Sequence, residues 1–305
     1  MIPVDDDHAA STEETASRFR GLDTWRTGEI LEALWRSQQQ AVAACQAALP
    51  ALERAVDGAV ARLARTTGRL IYAGAGSSGM IAALDALDLG PTFNWPETRT
   101  VVFVAGGLDL QRGPDPTIED DATGGSQRAR EAAIGPDDVV LGISASGGSA
   151  YIVAVIEEAR RRGAMTIAVA SRADSPLVRT AEHAVVVSTG AEVIAGSTRL
   201  AAGTAQKLIL NLFSTGVMVG LGFVFDNLMV DVRPANAKLR QRRTTIVASI
   251  AQVDRARAAD ALARHGDVKR AVLALAGMSE AEIDAALATT GGNLRAALAG
   301  ARSSP

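Results

Sequence analysis

The spacing of hydrophobic and polar positions changes along the chain, and the first segment has the spacing of a helix. Between residues 24 and 66, apolar side chains recur at roughly helical intervals, with few helix-breaking residues. The pattern predicts one or two N-terminal helices, interrupted at Pro50, because proline lacks the backbone donor that a helix interior needs. Trp35 and Cys45 are expected to pack inside this part of the protein.

From residue 69 onwards the pattern becomes short, continuous apolar runs separated by helical segments. The runs are RLIYAG from 69 to 74, TVVFVAG from 100 to 106, DVVLGIS from 138 to 144, MTIAVAS from 165 to 171 and HAVVVS from 183 to 188. Continuous apolar strands that alternate with helices are typical of a parallel sheet covered on both faces. The sequence therefore predicts an α/β fold with a doubly wound parallel sheet.

The stretch LILNLFSTGVMVGLGFVF, from 208 to 225, has almost the length of a membrane-spanning helix. Asn211 lies within it, and Lys207 and Asp226 flank it. Because nothing else in the chain supports membrane insertion, we interpret the stretch as a buried helix and expect no membrane association.

After residue 244 the sequence turns into short alanine-rich helices separated by glycines. Asp267, Ser279 and Asn293 stand where helix N-caps are expected. We therefore predict two domains, with the sheet and its N-terminal helices in residues 1–243 and a small helical bundle in residues 244–305.

Composition and charge exclude several classes of function. The 305 residues carry a net charge of -3 and no Lys/Arg-rich run, which argues against nucleic-acid binding. A lone cysteine, Cys45, excludes an intrachain disulfide, and the acidic start of the chain does not resemble a secretory signal, so a cytoplasmic protein is expected. The three histidines are widely separated, so no His/Cys metal site is expected.

Two loops rich in glycine and serine follow predicted strands, GAGSSG from 74 to 79 and SASGGS from 144 to 149. Ligands bind at the carboxyl ends of strands in such sheets, where glycine turns and helix N-termini present backbone amides to anions. Either loop alone could be a tight turn with a serine cap. Together they predict a phosphate site, formed by Gly76, Ser77, Ser78, Gly79, Ser146, Gly147 and Ser149.

Dinucleotide binding is the competing interpretation, since the first loop matches G-x-G-x-x-G. The acidic residue expected at the end of the second strand is missing, however, because that strand ends in glycine. A sugar phosphate therefore fits the loops better.

Several segments together resemble the N-acetylmuramic acid 6-phosphate etherases, which are sugar isomerase (SIS) domain enzymes related to the glucokinase regulatory protein. They are RLIYAGAGSSG, LDLGPTF, IEDDATGG, GISASGGSAYIV, GAEVIAGSTRLAAGTAQKLILNLFSTGVM, NLMVDV and NAKLRQRRTTIV. The resemblance runs from about residue 8 to the end, including ubiquitin-associated-like C-terminal helices. It implies a lyase that cleaves the D-lactyl ether of N-acetylmuramic acid 6-phosphate to N-acetylglucosamine 6-phosphate and D-lactate during recycling of cell-wall sugar.

The resemblance also implies roles for individual residues. Asp88 matches the catalytic acid and Glu119 the base, and Glu192 would contact the substrate. Ser197 and Thr198 stand at the predicted start of the long helix and could be helix caps, ligand donors or both. Two carboxyl groups suffice for this chemistry, so no metal or redox cofactor is expected.

The spacing between Ser78 and Asp88 predicts either a helix that bends back or a second subunit. An unbroken helix between them would place the Asp88 carboxylate about 15 Å from the phosphate site, beyond the reach of one hexose. Because SIS enzymes are commonly dimers with shared sites, we expect a homodimer in which Asp88 of one chain serves the phosphate site of the other.

The sequence also departs from the family pattern. Aspartate stands at position 88 where the family usually has glutamate, and Met80, Gly148 and Ala201 replace basic residues. These losses leave open a second hypothesis, a non-catalytic or substrate-shifted sugar-phosphate-binding regulator. A third, an aldose–ketose isomerase, ranks last because no histidine lies in a motif segment.

Overall fold

The computed structural model describes residues 12–302 apart from residues 65, 110 and 235. The strands are β1 (Leu70–Ala75), β2 (Thr100–Ala105), β3 (Val139–Ile143), β4 (Met165–Ala170), β5 (His183–Val186), β6 (Val224–Phe225) and β7 (Leu228–Met229). The first six helices are α1 (Thr27–Leu63), α2 (Gly76–Phe93), α3 (Ala122–Glu131), α4 (Ala150–Arg161), α5 (Pro176–Thr180) and α6 (Ala201–Gly220). They are followed by α7 (Ala237–Ala251), α8 (Arg255–His265), α9 (Val268–Leu275), α10 (Glu280–Thr289) and α11 (Leu294–Arg302).

Strands β1 to β5 form one parallel sheet in the order β2-β1-β3-β4-β5. All five runs predicted as strands are strands, so the predicted α/β fold is confirmed. The sheet is covered on both faces, as continuous apolar strands require. Ala168 of β4 belongs to the core formed with α3, α4 and α5. Side chains alternate between the two faces along a strand, so Met165 of β4 lies on the opposite face from Ala168. There it lies beside Gly58 of α1.

Helix α1 runs through Pro50 without a break, so the predicted interruption is wrong. Pro50 and Gln46, whose carbonyl loses its helical partner, are both exposed, and water can replace the missing donor there. Cys45 is buried as predicted, but the Trp35 side chain is not, because residue 35 is 64% exposed in the single chain. Small residues such as Ala41 and Ala48 form the buried face instead.

Residues 208–220 of the predicted helical stretch lie in α6, whereas the stretch leaves the helix after Gly220 and ends in β6. The helix begins at Ala201, whereas Ser197 and Thr198 lie in the turn before it. Phe213 and Met218 are buried, and Leu212 and Val219 are exposed. Among the described residues, we find no helix with both the length and the apolar content to cross a bilayer.

The chain divides into two compact units. One comprises the residues up to Ala86 and Thr98–Ser214, and the other comprises Leu87–Glu97 and the chain from Thr215 onwards. The second unit has its own apolar core, to which α7 to α11 contribute. The predicted domain boundary, between residues 243 and 244, lies inside α7. The division into two domains at that point stays a prediction.

The N-caps predicted in the C-terminal helices are present. The side chains of Asp267, Ser279 and Asn293 accept hydrogen bonds from backbone amides in the first turns of α9, α10 and α11. An additional cap, Asn236, starts α7 earlier than the sequence pattern suggested.

Candidate active site

The two glycine- and serine-rich loops begin side by side at one edge of the sheet. Strands β1 and β3 are direct neighbours, and Gly74 lies opposite Ile143. Because the strands are parallel, both chains leave the sheet at the same edge. The juxtaposition on which the predicted phosphate site depends is therefore present.

The first loop is a direct transition from β1 to α2. Helix α2 begins at Gly76, which has a φ of 52° and follows the last residue of β1. A Cβ on Gly74 would lie 2.7 Å from the Gly79 Cα atom, so glycine at both positions lets strand and helix approach closely. Ser77 is exposed and Ser78 is buried. The transition exposes the N-terminus of α2, which suits an anion.

The second loop is held by its own serines. The Ser144 hydroxyl accepts a hydrogen bond from the Gly147 amide at 3.1 Å, and the Ser146 hydroxyl accepts one from the Gly148 amide at 3.2 Å. Gly147 has a φ of 66°, and a Cβ there would lie 2.2 Å from the Ser175 Oγ atom. Only glycine fits this position.

Glu119 is tied to the second loop. It lies in a short 3₁₀ helix, Pro116–Asp120, and the Ser149 hydroxyl donates a hydrogen bond of 3.2 Å to its backbone carbonyl. Glu119 is half-buried. Burial raises the pKa of its carboxyl above the usual value, and the negative charge of Asp120 adds to the effect. A raised pKa brings a carboxylate closer to the range of an efficient general base.

Glu192 supports the start of α6. Its side chain has no exposed surface, and its two oxygens accept hydrogen bonds of 2.9 Å from the amides of Ala201 and Ala202. Burial raises the pKa of this carboxyl, and the two amides act in the opposite direction. The carboxylate therefore caps the helix, and its expected contact with substrate stays a prediction.

Ser197 and Thr198 lie in the turn that precedes α6, and both are half-buried. The amide of Gly196, which begins this turn with a φ of 74°, donates a hydrogen bond of 3.0 Å to the Thr12 carbonyl. The N-terminal segment and Glu192 thus fix the turn from two sides.

Asp88 is exposed on α2, which is unbroken from Gly76 to that position. Of the positions where basic residues are missing, Met80 and Gly148 are exposed. Ala201 is buried at the start of α6, where its amide binds Glu192.

The sequence patterns did not identify two buried polar side chains, Ser175 and Asp85. Ser175 packs against Gly147, and Asp85 is buried on the inner face of α2. The spacing held a signal for Asp85, because the residue shares a helical face with the buried Ala82, Ala86 and Leu89. A charged residue on the apolar face of a helix is rare, so its presence indicates a special role for Asp85.

Comparison with known proteins identifies the family of this chain. The SIS domain model matches residues 122–215. The N-acetylmuramic acid 6-phosphate etherase of Deinococcus radiodurans is 41% identical over 289 residues, which cover 94% of each chain. That of Rubrobacter xylanophilus is 42% identical and covers 94% of this chain and 95% of its own. Among solved structures, a phosphoheptose isomerase from Francisella tularensis aligns with a TM-score of 0.46 and 22% identity, covering 64% of this chain and 100% of that one. With this identity to the etherases over nearly its whole length, the chain belongs to the N-acetylmuramic acid 6-phosphate etherase family.

Proposed function

We propose that this chain cleaves the D-lactyl ether of N-acetylmuramic acid 6-phosphate and releases N-acetylglucosamine 6-phosphate and D-lactate. One observation carries the proposal beyond family membership: Ser149 of the second loop holds the backbone of Glu119. This contact keeps a carboxylate beside the proposed phosphate site. The reaction would serve the recycling of cell-wall sugar, and the cytoplasmic location expected from the sequence stays a prediction.

The substrate binds through its phosphoryl group. The amides at the start of α2 and the hydroxyls of Ser77, Ser78 and Ser146 supply donors for the phosphoryl oxygens. Three further residues take part in substrate binding, either by contacting the substrate or by fixing the turn before α6. They are Glu192, Ser197 and Thr198.

Elimination then needs one base and one acid. In the open-chain sugar, the C1 aldehyde acidifies the C2 proton, and Glu119 removes it. The C3–O bond breaks as the C2–C3 double bond forms, and Asp88 protonates the departing lactate oxygen. Water adds back across the double bond, with hydroxyl at C3 and a proton at C2, which completes N-acetylglucosamine 6-phosphate.

Incubation with N-acetylmuramic acid 6-phosphate tests the proposal. We expect D-lactate and N-acetylglucosamine 6-phosphate to appear in equal amounts. Absence of D-lactate, combined with a higher Tm in the presence of N-acetylglucosamine 6-phosphate, would instead identify the protein as a sugar-phosphate sensor. Retention of Glu119 in a raised-pKa environment favours the lyase over that alternative.

We also propose that the protein is a homodimer. Three neighbouring helices expose apolar side chains: Leu31, Trp35, Val42 and Leu49 on α1, Met80 and Leu84 on α2, and Leu212 on α6. This set is called the apolar stripe below. Helix α6 lies between the other two, because Cys45 Sγ is 3.9 Å from the Ala205 carbonyl oxygen and Ile81 is packed against Gly203.

A second copy of the chain is the occupant that the proposed chemistry requires. Because α2 is unbroken, Asp88 lies about 15 Å along the helix from Ser78, which is too far for one hexose to bridge. The proposed dimer has a two-fold axis that buries the apolar stripe against its own copy, with Asp88 supplied by the partner.

Trp35→Arg should convert the dimer to a monomer. Wild-type protein at micromolar concentration should have a light-scattering mass of about 63 kDa, twice the chain mass of 31.5 kDa. A buried interfacial tryptophan commonly contributes enough that its loss weakens dimerisation by on the order of 100-fold. Leu108→Glu, at an exposed apolar residue outside the stripe, is the control and should stay dimeric. A monomeric wild type would contradict the proposal.

A further inference from the structure

Asp85 is a buried charged residue on α2, the helix whose N-terminus belongs to the proposed phosphate site. Residue 85 is only 1% exposed. Its Oδ2 atom accepts a hydrogen bond of 3.2 Å from the Tyr72 hydroxyl on β1. Its Oδ1 atom accepts bonds from the Asn211 amide at 2.6 Å and the Ser214 hydroxyl at 3.3 Å, both on α6. One carboxylate thus joins α2 to two other elements.

The Asp85 carboxyl ionises less readily in the folded than in the unfolded chain. Burial raises the pKa of the Asp85 carboxyl, whereas the bonds from Ser214, Asn211 and Tyr72 and the charge of Lys207 lower it by less. A carboxyl whose pKa is higher in the folded than in the unfolded chain costs stability when ionised. That cost is present above the folded-state pKa and disappears below the unfolded value. Burial together with the Asp85 charge also raises the pKa of Tyr72.

The three hydrogen bonds of this carboxylate indicate a geometric role. Hydrogen bonds are directional, whereas the hydrophobic effect is not. Bonds from β1 on one oxygen and from α6 on the other fix α2 along its axis and around it. Helix α2 begins at Gly76, so its position sets the position of the proposed phosphate site.

We propose that Asp85 is a positioning residue, which through its bonds to Tyr72, Asn211 and Ser214 holds α2 where Gly76–Gly79 are aligned with the phosphoryl group of the substrate. The inference rests on the proposed function. It assigns no contact with substrate to Asp85 itself. What matters is the set of hydrogen bonds rather than the negative charge.

Two variants of similar volume separate geometry from charge. Asp85→Asn can keep all three bonds, because its oxygen accepts from Asn211 and Ser214 and its amide donates to the Tyr72 oxygen. We expect its kcat/KM to stay within about threefold of wild type, since hydrogen-bonded geometry is retained. Its Tm at pH 7 should equal or exceed that of wild type, and the difference should shrink as the pH approaches 3.8.

Asp85→Leu keeps the volume and removes the bonds. We expect kcat to fall and KM to rise, with kcat/KM lower by on the order of 100-fold, the usual result of displacing reacting groups by about 1 Å. Rates are measured well below the Tm of each variant, so that unfolding does not contribute. If Asp85→Leu does not fold, Tyr72→Phe removes one bond and should lower kcat/KM by about tenfold.

The possible outcomes separate the alternatives. Full activity of Asp85→Leu would show that Asp85 only stabilises the fold, and it would overturn the proposal. If Asp85→Leu does not fold, full activity of Tyr72→Phe would have the same meaning. An Asp85→Asn variant as impaired as Asp85→Leu would show that the charge matters instead. If wild type releases no D-lactate, the proposed function fails first. The inference is then tested by the Tm shift with N-acetylglucosamine 6-phosphate, which should weaken in Asp85→Leu and persist in Asp85→Asn.

Discussion

Glu119→Gln should slow D-lactate release by at least about 100-fold, the usual scale for the loss of a general base. Glutamine matches glutamate in size and can occupy the same half-buried place in the 3₁₀ helix. It cannot accept the C2 proton, so elimination stalls before the C3–O bond breaks. The measurement is kcat for D-lactate release at saturating N-acetylmuramic acid 6-phosphate.

Asp120→Asn is the matched control, because it removes the neighbouring exposed carboxylate and leaves Glu119 in place. It should release D-lactate at a rate close to wild type. Substrate-saturated Glu119→Gln with near wild-type kcat would exclude Glu119 as the base.

The pH profile gives a second measurement of the same base. Glu119 must be ionised to accept a proton, so activity should decline as the pH falls through its pKa. Because that pKa is raised, the acidic limb of kcat/KM should lie above pH 4.5. Asp120→Asn removes a negative charge that raises the pKa, so its acidic limb should shift to lower pH. An unshifted limb would mean that another group controls it.

The central sheet could be predicted because its signal is local. Strands β1, β3 and β4 are buried along their whole length, and strands of this kind have nearly continuous apolar sequences. The two loops also follow from local sequence, because glycine at 74, 79 and 147 meets close backbone approaches or positive φ. The rule that ligands bind at the carboxyl ends of parallel strands then located the candidate site.

The remaining features depend on contacts between distant parts of the chain. Pro50 is tolerated because its side of α1 faces solvent, which periodicity alone did not reveal. Glu192 caps α6 from nine residues away, and a cap from this distance has no local sequence signature. Hydrophobicity predicts a core position for Trp35, although the single chain leaves it exposed.

A heterodimer carrying Asp88→Asn in one chain and Glu119→Gln in the other should recover activity that neither homodimeric variant has. If each site combines Glu119 of one chain with Asp88 of its partner, one of the two sites in this heterodimer keeps both carboxylates. We therefore expect about half of wild-type kcat per dimer, because two-fold symmetry creates two equivalent sites. Two different affinity tags allow the heterodimer to be purified from co-expressed chains.

The reciprocal heterodimer pairs a wild-type chain with a chain that carries both substitutions, and it should be inactive. In a shared-site dimer, one site then lacks the acid because of Asp88→Asn, and the other lacks the base because of Glu119→Gln. Sites confined to single chains would reverse the two results, because the wild-type chain would work alone and the singly substituted chains could not complement each other. Since both heterodimers keep the same number of intact carboxyl groups, only the distribution of these groups between the chains decides the outcome.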